Sequence, residues 1–414
     1  MLERSHIARN PSSLLLSSSL DDQDRKFFSP FEIIRQAISD RVFPAASVGV
    51  AHRSKLVVLK SFGMLVYEED LAGAPPRSRF FGQCGGLDSP EVTPATLFDL
   101  ASLTKPIATT TMAMLLYERG QLDLDAPIDG TVPEFTRAQS DSRRPSVTFR
   151  HLLTHSSGLP AYEKLFLKAH ARDELLHAAF AVPLTADPGC RPEYSDLGFI
   201  ILGVALERLA EEPLDAFCQR EIFGPIGLSN TTFNPPAGLR PQIPPTADER
   251  TRNGASTSGR ESAGEVKSRS SFRGRIIQGE VQDENASALG GVAGHAGLFS
   301  TSEDVTRFAQ TLLLGGNPIL RPETISLLTC RQSSPPATSR TLGWDTPSAP
   351  SQSGKYFGPR SYGHLGYTGT SLWIDPDRQL SITVLTNRTW PDCSNQAIRQ
   401  LRPKFHDAVI EALS

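Results

Sequence analysis

The 414 residues contain no C-x-x-C pair, and the five cysteines (Cys84, Cys190, Cys218, Cys330, Cys393) are scattered and odd in number. Neither a zinc knuckle nor a disulfide framework is favoured by that pattern. An uninterrupted apolar run of the length a membrane helix needs is missing as well. Charge of neither sign prevails: 42 basic against 45 acidic side chains leave a net −3, so the general basic footprint of a nucleic-acid binder is absent. With 39% apolar and 21% charged residues the composition is not that of a disordered or fibrous chain. What remains is an enzyme-sized globular chain, long enough to bury a large core in one large or two ordinary domains.

Residues 1–29 read as a flexible tail. Arg4 and Arg9 precede Leu14, Leu15 and Leu16, but that run is too short for an export signal, and Asp21, Asp22 and Asp24 follow. The expected compartment is therefore the cytoplasm, with the periplasm or export as the alternative. Helical spacing of Phe31, Ile34, Ile38 and Val42 predicts a helix from Pro30 to about Arg41. Strands are expected at 46–51 and 56–59, around the polar turn His52-Arg53-Ser54-Lys55, and at 371–375 and 380–386, around Pro376-Asp377. Helical patterns run from near Ser102 to Gly120, over 150–153, 165–180 and 198–209, and from about Asn395 to Leu413.

Strands near both ends with helices between them predict an α/β (α+β) architecture in one catalytic domain over 30–414. Its sheet part is expected at about 30–100 and 300–414, its helical lobe at about 106–290, and a cleft between them. The interval of about 248–271 stands apart, with almost no large apolar residue, and is read as a disordered surface insertion. Its basic excess is read as that of a solvated loop.

The most informative stretch is Leu100-Ala101-Ser102-Leu103-Thr104-Lys105-Pro106. Ser102 and Lys105 are three apart, so on a helix they share one face. A serine hydroxyl is a weak nucleophile that needs a base, and a partly buried lysine that has lost its proton can serve. A helix N-terminus beneath Ser102 would add N–H groups for a developing oxyanion. The second pattern is Glu193-Tyr194-Ser195-Asp196, just ahead of a helix. Its tyrosine could carry a proton between nucleophile and leaving group, while the polar side chain two residues on orders the site. The third is His364-Leu365-Gly366-Tyr367-Thr368-Gly369, ahead of the 371–375 strand. It presents a hydrogen-bonding side chain and then glycines that let a substrate approach the backbone.

In this order on one chain, the three patterns resemble those of the β-lactamase-related serine hydrolases: class C β-lactamases, D-alanyl-D-alanine carboxypeptidases and related esterases. Stretches 96–105, 150–159 and 294–300 carry the likeness further, and it extends from about Phe31 to Leu413. The resemblance implies a β-lactamase/transpeptidase-like fold, with an antiparallel sheet built from both termini, flanking helices and a mainly helical lobe. It implies that Ser102 is acylated and that Lys105 and Tyr194 share the general-base and general-acid work. Asp196, His364, Gly366 and Tyr367 would contact substrate, with the backbone N–H groups of Ser102 and Tyr367 as the oxyanion hole. No metal and no organic cofactor are implied. The expected substrate is a small-molecule ester or amide or a cell-wall peptide.

Two positions depart from the family pattern. His364 stands where lysine is usual, and Asp196 stands where asparagine is usual. Both make the site less cationic, so the sequence predicts a preference for neutral esters that widens from about pH 6 to 8 as His364 loses charge. A non-turnover penicillin-binding or sensing protein on the same fold is the alternative. His151 and His155 are read as turn residues, His295 as a turn residue near the cleft, and Asp283-Glu284-Asn285 as a loop near the site. Cys84 is read as an exposed loop thiol.

Overall fold

The computed structural model describes residues 17–67, 89–169, 171–250, 273–336, 338–349, 351–391 and 393–414. The insertion expected at about 248–271 lies almost wholly outside them, as does Cys84.

Arg53 and Ser54 both take left-handed backbone (φ 50° and 62°) and fold β1 (Ala45–His52) back onto β2 (Lys55–Gly63). Two left-handed residues match the twist of a tight hairpin. From the other end of the chain come β3 (Tyr362–Leu365), β4 (Ser371–Asp375) and β5 (Leu380–Thr386). β5 joins the halves, running antiparallel to β1 with Leu380 opposite His52 and Thr386 opposite Ala46. The sheet order is Ser17–Ser18, β2, β1, β5, β4, β3, and every pairing is antiparallel except the first, which is parallel. That first pairing corrects the extent of the tail. Ser17–Ser18 lie along β2, Gln23 Oε1 accepts the Leu59 N–H at 3.1 Å, and Phe27 is buried. Burial of Phe27 anchors a segment whose polar composition read as loose.

Side chains alternate across the sheet. Val48, Val50, Val58, Ile382 and Val384 join Phe31 and Ile34 of the helix Phe28–Ser39 and Phe405 and Val409 of the helix Ile398–Leu413 in one core. On the opposite face, β1 and β5 present small and polar residues where the helix Ser302–Leu313 comes close, while Leu372, Ile374 and Leu385 join the other core. Ser47 Oγ lies 2.7 Å from Ser302 Oγ, Thr306 Oγ1 donates to Thr383 Oγ1 at 3.1 Å, and a Cβ on Gly49 would collide with Thr306 Oγ1. Gly49→Ala is accordingly expected to cost roughly 1–3 kcal/mol by overpacking. A urea midpoint equal to that of the wild type would contradict this packing.

Between the two halves of the sheet, the chain builds the helical lobe. The helices Thr111–Glu118 and Asp196–Ala210 pack in a second core with Met112, Leu152, Phe199, Leu202 and Phe217. The long helix expected at 165–180 is two pieces, a 3-10 turn at Leu165–Leu167 and a helix at Arg172–Phe180. A small antiparallel sheet of Phe98–Asp99, Leu298–Ser300 and Thr232–Phe233 adjoins the lobe, and its first strand runs straight into the Ser102 turn. Among the described residues no helix is long and apolar enough to cross a membrane.

Candidate active site

Ser102 sits in a 3-10 turn (Ala101–Leu103) followed by a π-type stretch (Lys105–Thr110) and then the α-helix Thr111–Glu118. The turn opens on Ala101 in the left-handed region (φ 47°), an uncommon conformation for a residue with a Cβ. Thr104 Oγ1 braces it, donating to the Ala101 carbonyl at 2.7 Å and accepting the Leu298 N–H at 3.1 Å. The three-residue spacing thus brings Lys105 onto Ser102, though through an irregular helix rather than the regular one the spacing predicts.

Lys105 is fully buried, and its Nζ has three neighbours: it donates to Ser102 Oγ at 3.0 Å, Asp196 Oδ1 at 2.6 Å and the His295 carbonyl at 3.1 Å. Three donated bonds are the full capacity of an ammonium, which has no lone pair left. Burial alone would pull its pKa down, but Asp196 and Tyr194 outweigh burial and hold it above the ordinary lysine value. A lysine that can lose its proton and serve is the expectation; these neighbours favour its protonated form. The carboxylate of Asp196, standing where the family has an amide, keeps the proton on Lys105.

Tyr194 lies with its ring centroid 4.8 Å from Lys105 Nζ, and its side chain faces both Ser102 and Lys105. Burial pushes the phenol above its ordinary pKa, against the pull of Lys105, so it too is protonated at neutral pH. His155 backs this segment: its Nδ1 accepts the Ser195 N–H at 3.0 Å, and its ring lies tilted against that of Tyr194 with centroids 4.5 Å apart. Ser195 Oγ in turn accepts the Gly198 N–H at 3.1 Å and caps the helix Asp196–Ala210. Asp196 is thereby set in the first turn, where the helix dipole favours a carboxylate. His151 serves elsewhere, closing a capping box with Thr148.

The third pattern closes over the Ser102 turn. Thr368 Oγ1 donates to the Asp99 carbonyl at 2.8 Å and Thr370 Oγ1 to the Leu100 carbonyl at 2.9 Å. A Cβ on Gly366 would collide with Thr370 Oγ1 and lie 2.6 Å from the Leu100 carbonyl, so only glycine fits this approach. Arg402 donates to the Gly366 and Thr370 carbonyls (2.9 and 2.8 Å), and Arg388 Nε donates to the Tyr367 carbonyl (2.7 Å). With the Gly366 carbonyl pinned toward Arg402, the planar trans peptide turns the Tyr367 N–H the opposite way.

His364 Nδ1 lies 2.9 Å from the Leu365 carbonyl, so this nitrogen carries the proton. Nε2 is a buried acceptor with no hydrogen-bond partner among the described residues. Burial first, then the charges of Lys105 and Arg340, hold the imidazole well below its ordinary pKa. Two expectations change. His364 offers a substrate an acceptor rather than an N–H, and it stays neutral across pH 6–8, so it gives no selectivity that widens over that range. Asp196, the carboxylate with the potential to charge it, is paired with Lys105.

Ser102, Tyr194, Asp196, His295, His364, Gly366 and Tyr367 line one cleft of about 730 Å³, and Lys105 is buried beside them. Sequence reasoning missed the arginines of its wall. Arg340 lies 5.4 Å from the Tyr194 ring centroid and 3.5 Å from the Asp345 carboxylate, and Arg399 and Arg402 also line the cleft. Arg402 is buried with Gln352 and two carbonyls as its partners, and burial beside Arg388 and Arg399 lowers its pKa to about 9. Asp283 and Glu284 line the cleft too, and Asp283 Oδ1 lies 2.8 Å from His295 Nε2. Among the described residues no His/Cys/Asp/Glu group of three or more is arranged to hold a metal ion.

Comparison with known proteins identifies the family. The family model "Beta-lactamase" matches residues 31–402. A putative D-alanyl-D-alanine carboxypeptidase of Escherichia coli (strain K12) is 33% identical over 316 residues, spanning 72% of this chain and 70% of that protein. An N-acetylmuramyl-L-alanine amidase of Bacillus subtilis (strain 168) is 32% identical over 314 residues, spanning 71% and 68%. Among solved structures, EstCE1, a hydrolase with promiscuous acyltransferase activity, superposes with a TM-score of 0.69 at 23% identity, covering 93% of this chain and 99% of its own. That last likeness concerns the fold. On the family match over most of its length, together with relatives above 30% identity, the chain belongs to the β-lactamase family and is a serine hydrolase.

Proposed function

We propose that the protein cleaves an ester or amide bond through an acyl-enzyme on Ser102, and that its substrate carries a carboxylate, as cell-wall peptides do. The observation that carries the reading is Lys105 Nζ with its three acceptors, Ser102 Oγ among them. Because Lys105 already donates to Ser102 Oγ, the serine's own proton leaves toward the second partner, Tyr194 Oη. As the Oγ–C bond forms, Tyr194 takes that proton and passes its own to the departing oxygen or nitrogen, so no net phenolate accumulates. Lys105 keeps its charge and stabilises the developing alkoxide, with Asp196 as its counter-ion. The backbone N–H groups of Ser102 and Tyr367 receive the oxyanion. Water then repeats the sequence on the acyl-enzyme, with Tyr194 reversing its role.

Amide cleavage draws support from the names of the E. coli and B. subtilis relatives, a putative carboxypeptidase and an amidase. The carboxylate draws support from Arg340, Arg399 and Arg402 along the cleft, which supply the positive charge that residue 364 does not. The expected preference for neutral substrates is revised on that ground. Arg340→Gln is predicted to raise KM for a carboxylate-bearing substrate roughly tenfold to a hundredfold, the worth of a charge-assisted hydrogen bond of about 1.5–3 kcal/mol. A neutral p-nitrophenyl ester should respond far less; equal losses on both substrates would sink the assignment. Steady release of p-nitrophenol supports a hydrolase, whereas a single stoichiometric burst would favour the binding or sensing alternative.

A further inference from the structure

Asp99, the last residue of the strand entering the Ser102 turn, belongs to none of the three sequence patterns. It is 2% exposed, and both its carboxylate oxygens are engaged by backbone. Oδ1 accepts the Ala101 N–H at 2.8 Å, and Oδ2 accepts the Gln282 N–H at 2.6 Å. Its main-chain carbonyl accepts the Thr368 hydroxyl at 2.8 Å. The three partners belong to three walls of the cleft. Ala101 opens the Ser102 turn in a left-handed conformation. Gln282 leads to Asp283, which holds His295, whose carbonyl takes Lys105 Nζ. Thr368 follows Gly366 and Tyr367.

We propose that Asp99 is a positioning residue for hydrolysis: its ionised carboxylate clamps the Ala101–Ser102 turn to the Gln282–Glu284 loop, and protonation opens the clamp. The inference rests on Ser102 as nucleophile. The carboxylate is the far better acceptor for both N–H groups at once, because protonation puts a hydroxyl on one oxygen and leaves that oxygen a weak acceptor opposite an N–H donor. Burial pushes the pKa of Asp99 up from 3.8 to about 6, against the two backbone bonds; the charged groups facing it are Asp283, which raises it, and Arg273, which lowers it. Arg273 is itself paired with Glu249 at 2.7 Å.

The sign follows from linkage. A folded pKa above the unfolded one means that this group adds stability as pH falls from about 6 toward 3.8, so the ionised form opposes folding at neutral pH. A carboxylate that works against folding yet holds the nucleophile turn is accounted for by function rather than by stability. The clamp is closed above about pH 6 and lost as pH falls through that value. Lys105 and Tyr194, both shifted upward, do not titrate there.

The test compares wild type with Asp99→Asn, which keeps the shape and one acceptor but presents an amide N–H₂ to Gln282. The readouts are kcat and kcat/KM for a neutral p-nitrophenyl ester and the rate of fluorophosphonate labelling, from about pH 5 to 9, with thermal melting as the check of folding. The expected result is a wild-type acid limb near pH 6. Asp99→Asn should melt cooperatively, lose roughly tenfold or more in activity at pH 8, chiefly in kcat, and show no limb near pH 6. A wild type without that limb, a variant that keeps it or stays within about twofold of wild type, or a variant that does not fold would each overturn the proposal. Ser102→Ala, assayed in parallel, separates the two readings: undiminished turnover there would remove the nucleophile itself, whatever Asp99 does.

Discussion

Ser102→Ala is expected to lower kcat/KM for a p-nitrophenyl ester by roughly 10⁴-fold or more, leaving only what binding and oxyanion donors supply without a nucleophile. The magnitude follows from the way the site is assembled around one oxygen. Lys105 Nζ at 3.0 Å and the Tyr194 side chain both address Ser102 Oγ, so its removal idles the stabilising ammonium and the proton carrier together. The fold should be untouched, because the side chain is partly exposed at the cleft and braces nothing in the turn; that work falls to Thr104, Asp99 and Thr370. An alanine variant that melts as wild type does but keeps a tenth of its activity would contradict the assignment.

Lys105→Met is expected to cost roughly 10²–10⁴ in kcat and, separately, several degrees of melting temperature. Lys105 is fully buried and Asp196 is 19% exposed in its side chain, so the variant strands a largely desolvated carboxylate. Breaking a buried pair at one end typically costs about 3–5 kcal/mol, and the residual exposure of Asp196 favours the lower end. Removing both charges tells the two effects apart. Lys105→Met/Asp196→Asn should regain much of the lost stability, since neither buried charge remains unpaired, yet recover none of the activity. A double variant that recovers activity along with stability would show Lys105 to be structural support alone.

The parts of this account that were legible in the sequence are those set by local pattern. Alternating valines and the turn at Arg53-Ser54 announce the first hairpin, and three-residue spacing announces that Ser102 and Lys105 meet. The protonation states were not legible, because they depend on partners distant in sequence. Asp196, 91 positions along the chain, decides the charge of Lys105. His364 resembles a pH-sensitive imidazole in sequence, but burial and the cations Lys105 and Arg340 hold it neutral against the opposing pull of the Leu365 carbonyl. Arg340 and Arg402 carry no motif, and only the packing of the β-sheet and C-terminal helix against the lobe brings them to the cleft. The N-terminal anchor was hidden in the same way: one buried phenylalanine outweighs the polar run around it.

The central claim is a covalent acyl group on Ser102, and rapid-quench intact-mass spectrometry with peptide mapping addresses it most directly. Mixed with a slowly deacylated ester, the wild type is predicted to gain the mass of one acyl group, mapped to the peptide containing Ser102. The Ser102→Ala protein is predicted to gain none. Turnover without any adduct at the earliest quench times, or an adduct mapped to another residue, would contradict the account.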